Sequence, residues 1–429
     1  MRLLILLPFA PRLDATHGGA RVITQFLTEI TARHKVAILY FREAEERGAD
    51  SCFRERCELV EEIVRPASDK TPGARLARYL RLMLSLFLLR PLWVSDWISP
   101  AFAKKVRHIA QSFQPEIIQA EFHVMGQYFS ALKDIDVPRV LVEYEPSARA
   151  ALYIQNLPRA LHRLIERIEK LSWRRYERKI YRQVDAIVAF TEADQKSIAA
   201  TAGRTPIHVI SPGIAIPEQP LNPVGGLPLS LLFVGNFYHP PNTDAARRLA
   251  TSIFPSVQKQ FPEAKLFLVG ENPPADLKRA GSQVIVTGRV PEIMPYLDQA
   301  ALLVAPVHLG GGMRIKVLEA LAAGKAVVTT PLAAEGLDVT DGDQLCIVRT
   351  DAEFVERIGQ LLRNEEKRLA LARRARAWAC DHIAWDKSIA KYDVLYKELI
   401  GGSDQHEQHS NEVVDHSEFG GLTTRPTLQ

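Results

Sequence analysis

Apolar residues along this chain gather in short, nearly unbroken runs, separated by longer stretches that are apolar on one face only. RLLILL (Arg2 to Leu7) and KVAILYF (Lys35 to Phe41) are runs of the first kind, as are Glu116 to Gln119, Arg139 to Val142, Asp185 to Phe190 and His208 to Ile210. Each is bounded by turn residues and short enough for a strand buried on both faces. Helical spacing runs between them from Gly18 to about Arg33, from Ala101 to Phe113 and from Val124 to Leu132. Pro212 to Pro228 breaks the pattern with five prolines and three glycines in seventeen residues, which predicts a linker. The alternation then restarts, with strands expected at Leu229 to Val234, Ala264 to Val269, Val284 to Thr287, Ala301 to Ala305, Ala326 to Thr330 and Leu345 to Val348. Helices are expected over Asp244 to Phe261, from Met313 to a stop at Gly324, and over Asp351 to Arg363, Glu365 to Asp381 and Trp385 to Ile400. Strands interleaved with helices imply parallel sheets covered on both faces. The fold class is therefore α/β, with domains over residues 1–211 and 229–384 joined by a linker over 212–228. Residues 401–429 are polar and patternless, and a disordered tail is expected there.

Two segments do not fit the alternation. Tyr79 to Val94 (YLRLMLSLFLLRPLWV) is the most apolar stretch, but its uncharged core, Leu82 to Leu89, is eight residues long and too short to span a bilayer. It is read as a buried helix; the alternative is a helix lying at a membrane surface with its arginines snorkelling. Arg159 to Arg182 carries nine Lys/Arg against three Glu. Its apolar stripe of Leu161, Leu164, Ile168, Leu171 and Ile180 predicts that it docks on the first domain, with contact to anionic lipid headgroups as a secondary role.

Composition changes this picture little. A length of 429 residues predicts two or three domains, and 47% hydrophobic with 24% charged residues is the balance of a well-cored protein. A formal charge of +4 is mild for this size and does not point to nucleic acid. Cys52, Cys57, Cys346 and Cys380 are scattered, with no CxxC and no paired histidines, so neither a zinc site nor a disulfide framework is indicated. Reduced thiols in a cytoplasmic protein are expected. The apolar start, LLILLP after Met1-Arg2, leads to glycines and a helix rather than a cleavage site, and reads as a strand rather than a secretion signal.

Candidate chemistry concentrates in LGGGMRIKVLEALAAGKAVVTT, Leu309 to Thr330. Gly310, Gly311 and Gly312 stand between a strand and a helix, where bare backbone N–H groups and the helix N-terminus favour an anion. Arg314 and Lys316 sit in the first turn, where cations oppose the helix dipole unless an anion binds beside them. Glu319 follows about a turn and a half later, within reach of a hydroxylated group next to that anion. The set suits a sugar nucleotide, with the diphosphate on the glycines and cations and the ribose on Glu319. Gly18 and Gly19 after the first strand form a second glycine turn of this type, and equally a helix entry without a ligand. The turn is not GxGxxG and no acidic residue closes the second strand, so a dinucleotide cofactor is not expected. Gly235-Asn236, Gly270 and Gly288 end three strands of the second domain, where backbone can approach a ligand.

These residues, with GGAR (Gly18 to Arg21), VDAIVAFTEAD (Val184 to Asp194), SPGI (Ser211 to Ile214), FVGNFYHPPNTDA (Phe233 to Ala245), TGRVPEIMPYL (Thr287 to Leu297) and GGGMRIKVLEALAAGKAVVTTPLAAEGL (Gly310 to Leu337), resemble the GT-B glycosyltransferases, in particular family 4 of that class. The resemblance implies two Rossmann-like domains facing a central cleft, the first completed by the C-terminal helix 385–400. It puts Glu319 on the donor ribose, while the partner glutamate eight positions earlier is replaced by Gly311. Asn236 to Thr243 holds no Arg or Lys, so Arg314 and Lys316 are expected to supply the diphosphate's countercharge. Donor contacts are expected further from Gly18, Gly19, Gly235, Asn236, Gly311, Gly312 and Met313, with Gly288, Arg289 and Val290 framing the base. Tyr144 stands where many members have a histidine, and His123, Glu143 and Tyr144 are the acceptor-side candidates.

The resemblance implies a retaining hexosyl transfer from an NDP-sugar, UDP- or GDP-linked, to a glycan or lipid-linked acceptor, without a metal or other cofactor. It implies a cytoplasmic enzyme, peripheral at the inner face of the membrane, serving polysaccharide or glycoconjugate synthesis. The alternatives are a sugar-nucleotide epimerase or a phosphorylase on the same fold, or a partner subunit that has lost chemistry.

Overall fold

The structure is a computed structural model that describes residues 1–15, 18–65, 72–144, 159–310 and 315–414. Among these, strands β1 (Arg2–Leu7), β2 (Lys35–Glu43), β3 (Leu59–Arg65), β4 (Ile117–Glu121), β5 (Arg139–Glu143), β6 (Ala186–Ala189) and β7 (Ile207–Val209) form one sheet in the order β3-β2-β1-β4-β5-β6-β7. A second sheet contains β8 (Leu227–Val234), β9 (Lys265–Val269), β10 (Val284–Gly288), β11 (Ala300–Ala305), β12 (Ala326–Thr329) and β13 (Cys346–Ile347), ordered β10-β9-β8-β11-β12-β13. All these pairings are parallel. The chain is thus two Rossmann-like domains.

Burial on both faces explains the strand runs. Leu3, Ile5 and Leu7 of β1 pack with the helix Gly18–Ile30 and the last helix, while Leu4 and Leu6 face Phe102, Val106 and Phe129 on the other side. Strand β3 was not apparent from the alternation. It lies at the sheet edge, is only partly buried, and carries Glu61 and Glu62, which pair with Lys105 and Arg42. Charged edge strands lack a clean period because solvent replaces one layer of packing.

Each sheet reverses strand order once, between β1 and β4 and between β8 and β11. At such a reversal the loops leaving neighbouring strands diverge and open a crevice at the carboxyl ends. Gly18 follows β1 and Phe122-His123 follow β4; Gly235-Asn236 follow β8 and Gly310 follows β11. Topology alone therefore brings the two glycine turns to crevices.

The segment from Ser211 to Pro228 is tied to its surroundings. The Ile214 amide donates to the Ile383 carbonyl at 2.7 Å, and the Ser388 hydroxyl to the Ser211 carbonyl at 2.8 Å, so the chain's two crossings between domains run side by side. Further on, Arg376 donates to the Pro217 carbonyl and the buried Lys325 ammonium to the Asn222 carbonyl. The last helix packs on the first sheet: Trp385 Nε1 donates to Gln25 Oε1 at 3.0 Å, and the Tyr396 hydroxyl to Gln119 Oε1 at 2.6 Å.

Three expectations change. The final helix spans Trp385–Val414, past the point at Gly401 where an unstructured tail was expected to begin; the preceding turns are docked and carry the helix through two glycines that would not nucleate one. Residues 415–429 lie outside the described residues. The apolar segment is not a buried helix: Pro72–Phe87 turns its apolar side outward, with Leu80 59% and Phe87 85% exposed. The basic helix Arg159–Tyr181 docks through Trp173, Tyr176 and Ile180, whereas Leu164 and Leu171 of its expected stripe face out, and Leu161 is not among the described side chains.

Candidate active site

On the second domain's side, β11 leads through the loop to Gly310, whose φ of +96° is easily adopted only by glycine. Gly311, Gly312, Met313 and Arg314 lie outside the described residues. The helix then runs from Ile315 to Ala322 and carries Lys316 in its first turn. The Lys316 ammonium donates to Asn242 Oδ1 at 2.6 Å and lies 4.3 Å from the centre of the Phe233 ring. Asn242 Nδ2 in turn donates to the Asn236 carbonyl at 2.9 Å. The cation expected to replace a missing Arg/Lys in the loop after β8 thus reaches that loop. Gly270 lets the ends of β8 and β9 meet there: its φ is +147°, and a Cβ would stand 1.9 Å from the Gly235 carbonyl oxygen.

Glu319 points from the same helix toward the first domain. Its carboxylate is 5% exposed and receives Arg21: Nη1 donates to Oε2 at 3.1 Å, and Nη2 pairs with Oε1. Burial pushes the Glu319 pKa up, opposed by the Arg21 and Lys316 charges. Arg21 lies on the first turn of the helix Gly18–Ile30, a cation set against the dipole in the way that marked Lys316. A first-turn cation after a glycine turn is thus a signal that the sequence carries for Arg21 as it does for Lys316, although Arg21 is not among the site residues expected from the sequence. Arg289, expected near the base, is 4.0 Å from Asp14 of the first domain, and Val290 packs on the second domain's core.

The first domain contributes an aromatic floor. Gly18 comes close to the second domain, since a Cβ there would be 3.7 Å from Ile315 Cγ1. A Cβ on Gly19 would stand 2.6 Å from Phe122 Cζ, so a side chain there would displace this ring. Phe122 is held at a φ of +69° and stacks on Tyr144 with ring centres 4.0 Å apart. The Tyr144 hydroxyl donates to Glu121 Oε2 at 2.7 Å, and Gln119 Nε2 to Glu121 Oε1 at 2.5 Å. Desolvation pushes the Glu121 pKa up to about 7 and holds the Tyr144 phenol well above its ordinary range.

The acceptor-side candidates are set deeper than their positions after strand ends implied. His123 is 2% exposed, with Nδ1 3.1 Å from Glu143 Oε2, and Tyr181 donates to the other Glu143 oxygen at 3.1 Å. The rings of Trp93 and Trp173 stand edge-on to the imidazole at 4.8 and 4.9 Å. His123 and Glu143 are thus buried and bonded to each other, with Tyr181 on the second Glu143 oxygen, and Tyr144 spends its hydroxyl on Glu121.

This geometry has counterparts. A family model described as Glycosyltransferase Family 4 matches residues 16–216, and one described as Glycosyl transferases group 1 matches residues 228–364. An uncharacterized 44.6 kDa protein in the cps region of Klebsiella pneumoniae is 27% identical over 139 residues, 30% of this chain and 36% of that relative's length. Among solved structures, Anabaena Alr3699/HepE in complex with UDP superposes with a TM-score of 0.63 at 14% identity, over 93% of this chain and all (100%) of that one. WaaG, a glycosyltransferase involved in lipopolysaccharide biosynthesis, gives a TM-score of 0.60 at 16% identity, over 91% of this chain and 99% of that one. The two family matches fall one on each domain, on either side of the cleft just described, and the chain belongs to the group 1, family 4 glycosyltransferases of the GT-B fold.

Proposed function

We propose that the chain is a retaining hexosyltransferase that moves a sugar from a UDP- or GDP-linked donor to a glycan or lipid-linked acceptor, in polysaccharide or glycoconjugate synthesis at the inner face of the membrane. The observation that carries this reading is the pairing on one helix of Lys316, reaching the loop after β8, with a buried Glu319 facing the opposite domain. The donor diphosphate lies against Lys316, Arg314 and the backbone of Gly311, Gly312 and Met313. The ribose takes the place of Arg21 on Glu319. Gly235 and Asn236 approach the phosphates and Gly288, Arg289 and Val290 the base.

In the transfer, the bond from the anomeric carbon to the β-phosphate oxygen breaks as the acceptor oxygen bonds to that carbon from the same face. The acceptor proton passes to the departing phosphate oxygen. Negative charge grows on that phosphate, and fixed cations stabilise it more in the transition state than in the ground state. Those cations are side chains, so the reading requires no metal. The HepE complex with UDP and the Klebsiella relative's place in a cps region agree with this donor and this kind of product.

A screen of NDP-sugars, with membrane extract as acceptor source and NDP release as readout, tests the reading. Acceptor-dependent release is expected. Lys316→Ala should lower turnover about ten- to a thousandfold, the range for losing one charge-stabilising donor. Full activity in a folded Lys316→Ala/Arg314→Ala protein would remove the assignment.

A further inference from the structure

The helix Pro72–Phe87 is inside out. Leu76, Tyr79, Leu80, Met83, Leu84 and Phe87 recur at the three- and four-residue spacing of one helix face, and all six are exposed. In a helix packed on a protein this stripe faces the core. Here the opposite side is turned inward by ion pairs: Arg78 and Arg81 reach Asp96, whose side chain is 6% exposed, at 2.8 and 3.1 Å. An orientation that places arginines toward the body and six large apolar side chains outward is favourable when the medium outside is not water alone.

Charge names that medium. The helix Arg159–Tyr181 packs beside this one. Of its three glutamates, Glu169 and Glu177 are buried and Glu166 alone reaches the surface, whereas Arg163, Arg167, Lys170 and Arg174 are exposed there together with Leu164 and Leu171. Arg75 and Arg90 are exposed near the two ends of the apolar stripe. Apolar side chains interleaved with and flanked by cations fit the boundary between acyl chains and anionic headgroups. A second copy of the chain would bring the same cations face to face. The sixteen-residue helix is about 24 Å long and lies along the surface; no described helix is long and apolar enough to cross a membrane.

We propose that this face, the outer side of Pro72–Phe87 with the exposed cations of Arg159–Tyr181, docks the protein on an anionic bilayer. The proposal makes the membrane part of the functional reading specific and rests on it only for the cellular side, not for donor or acceptor. Flotation with vesicles of phosphatidylglycerol and phosphatidylcholine tests it, against phosphatidylcholine alone. The protein should float with the anionic vesicles and be released by high salt. Leu80→Glu/Leu84→Glu should lower the bound fraction at least about tenfold. Arg167→Glu/Arg174→Glu should lower it by about fivefold per charge removed. Calorimetry with UDP on the same proteins is expected to give one affinity for all three, which separates a lost surface from a lost fold. A wild type that stays off anionic vesicles, or either variant binding them as wild type does, overturns the proposal. So does a wild-type dimer that ignores vesicles and is split by Leu80→Glu/Leu84→Glu, which assigns the face to a second copy. A wild type that floats but binds no UDP or GDP would instead sink the donor reading and leave this one standing.

Discussion

Arg21 and Glu319 show how much one pair can carry at the scale of single residues. A carboxylate 5% exposed keeps its charge only with a partner, and the Arg21 guanidinium provides the main one. Removing it by Arg21→Met should destabilise the fold by about 3–5 kcal/mol near pH 8, since a buried charge is left with Lys316 alone. The sign with pH follows from burial. Without Arg21 the folded-state pKa of Glu319 rises further above its unfolded value, so the folded protein holds the extra proton and stability falls as pH rises through that interval. The loss should shrink toward pH 5 in denaturant titrations, and Glu319→Gln in the same chain should restore most of it. A loss independent of pH, or no recovery in the double variant, would show that Arg21 acts through packing.

At the scale of elements, the site depends on how closely strand ends approach. The Gly235 amide donates to the Val269 carbonyl at 3.0 Å and the Gly270 amide to the Gly288 carbonyl at 3.1 Å, so β8, β9 and β10 finish as one joined edge. Gly270→Ala places a methyl 1.9 Å from the Gly235 carbonyl oxygen and forces a positive φ on alanine. Backbone must move, and a cost of about 2–3 kcal/mol is expected, read as a lower midpoint in thermal unfolding. Because the displaced carbonyl precedes Asn236, UDP affinity should fall more than stability alone explains. Gly281→Ala serves as the control, with a positive φ but open space apart from Val284 Cγ2 at 3.8 Å. Equal effects in the two would mean that conformational strain, rather than this close approach, sets the cost.

Across the whole molecule, the domains meet through charges that the proposed donor also needs. Arg21 holds Glu319, Asp14 stands 4.0 Å from Arg289, and Ile315 packs against the cores of both domains. Donor entry then exchanges one set of partners for another rather than filling an unpaired cleft. Arg21→Met/Asp14→Asn should leave the empty protein more open, seen as a larger radius of gyration in solution scattering. UDP should reduce the difference by bridging the domains. An unchanged radius would show that apolar contacts around Ile315 hold the domains together without help.

Much of this was legible in the sequence because buried parallel strands are read one residue at a time: each of β1, β2, β11 and β12 is apolar on both faces, and no distant residue is needed to recognise it. The placement of Lys316 and Glu319 on one helix was legible for a related reason, since a helix fixes the spacing of its own residues and a first-turn cation is anomalous locally. Tertiary structure alone decided the rest. Arg21 meets Glu319 across 298 positions, a pairing no local pattern encodes. His123 and Glu143 follow or end strands, which the chain shows, but their burial and the Trp93 and Trp173 rings edge-on to the histidine come from residues far along the sequence. Edge strand β3 has too little burial on either face to leave a period. The periodicity of Leu76 to Phe87 established that a helix has an apolar side; only the Asp96 carboxylate, fifteen to eighteen residues from its arginines, settled which side faces out. Amphipathicity specifies two faces, and the direction they point belongs to the packed molecule.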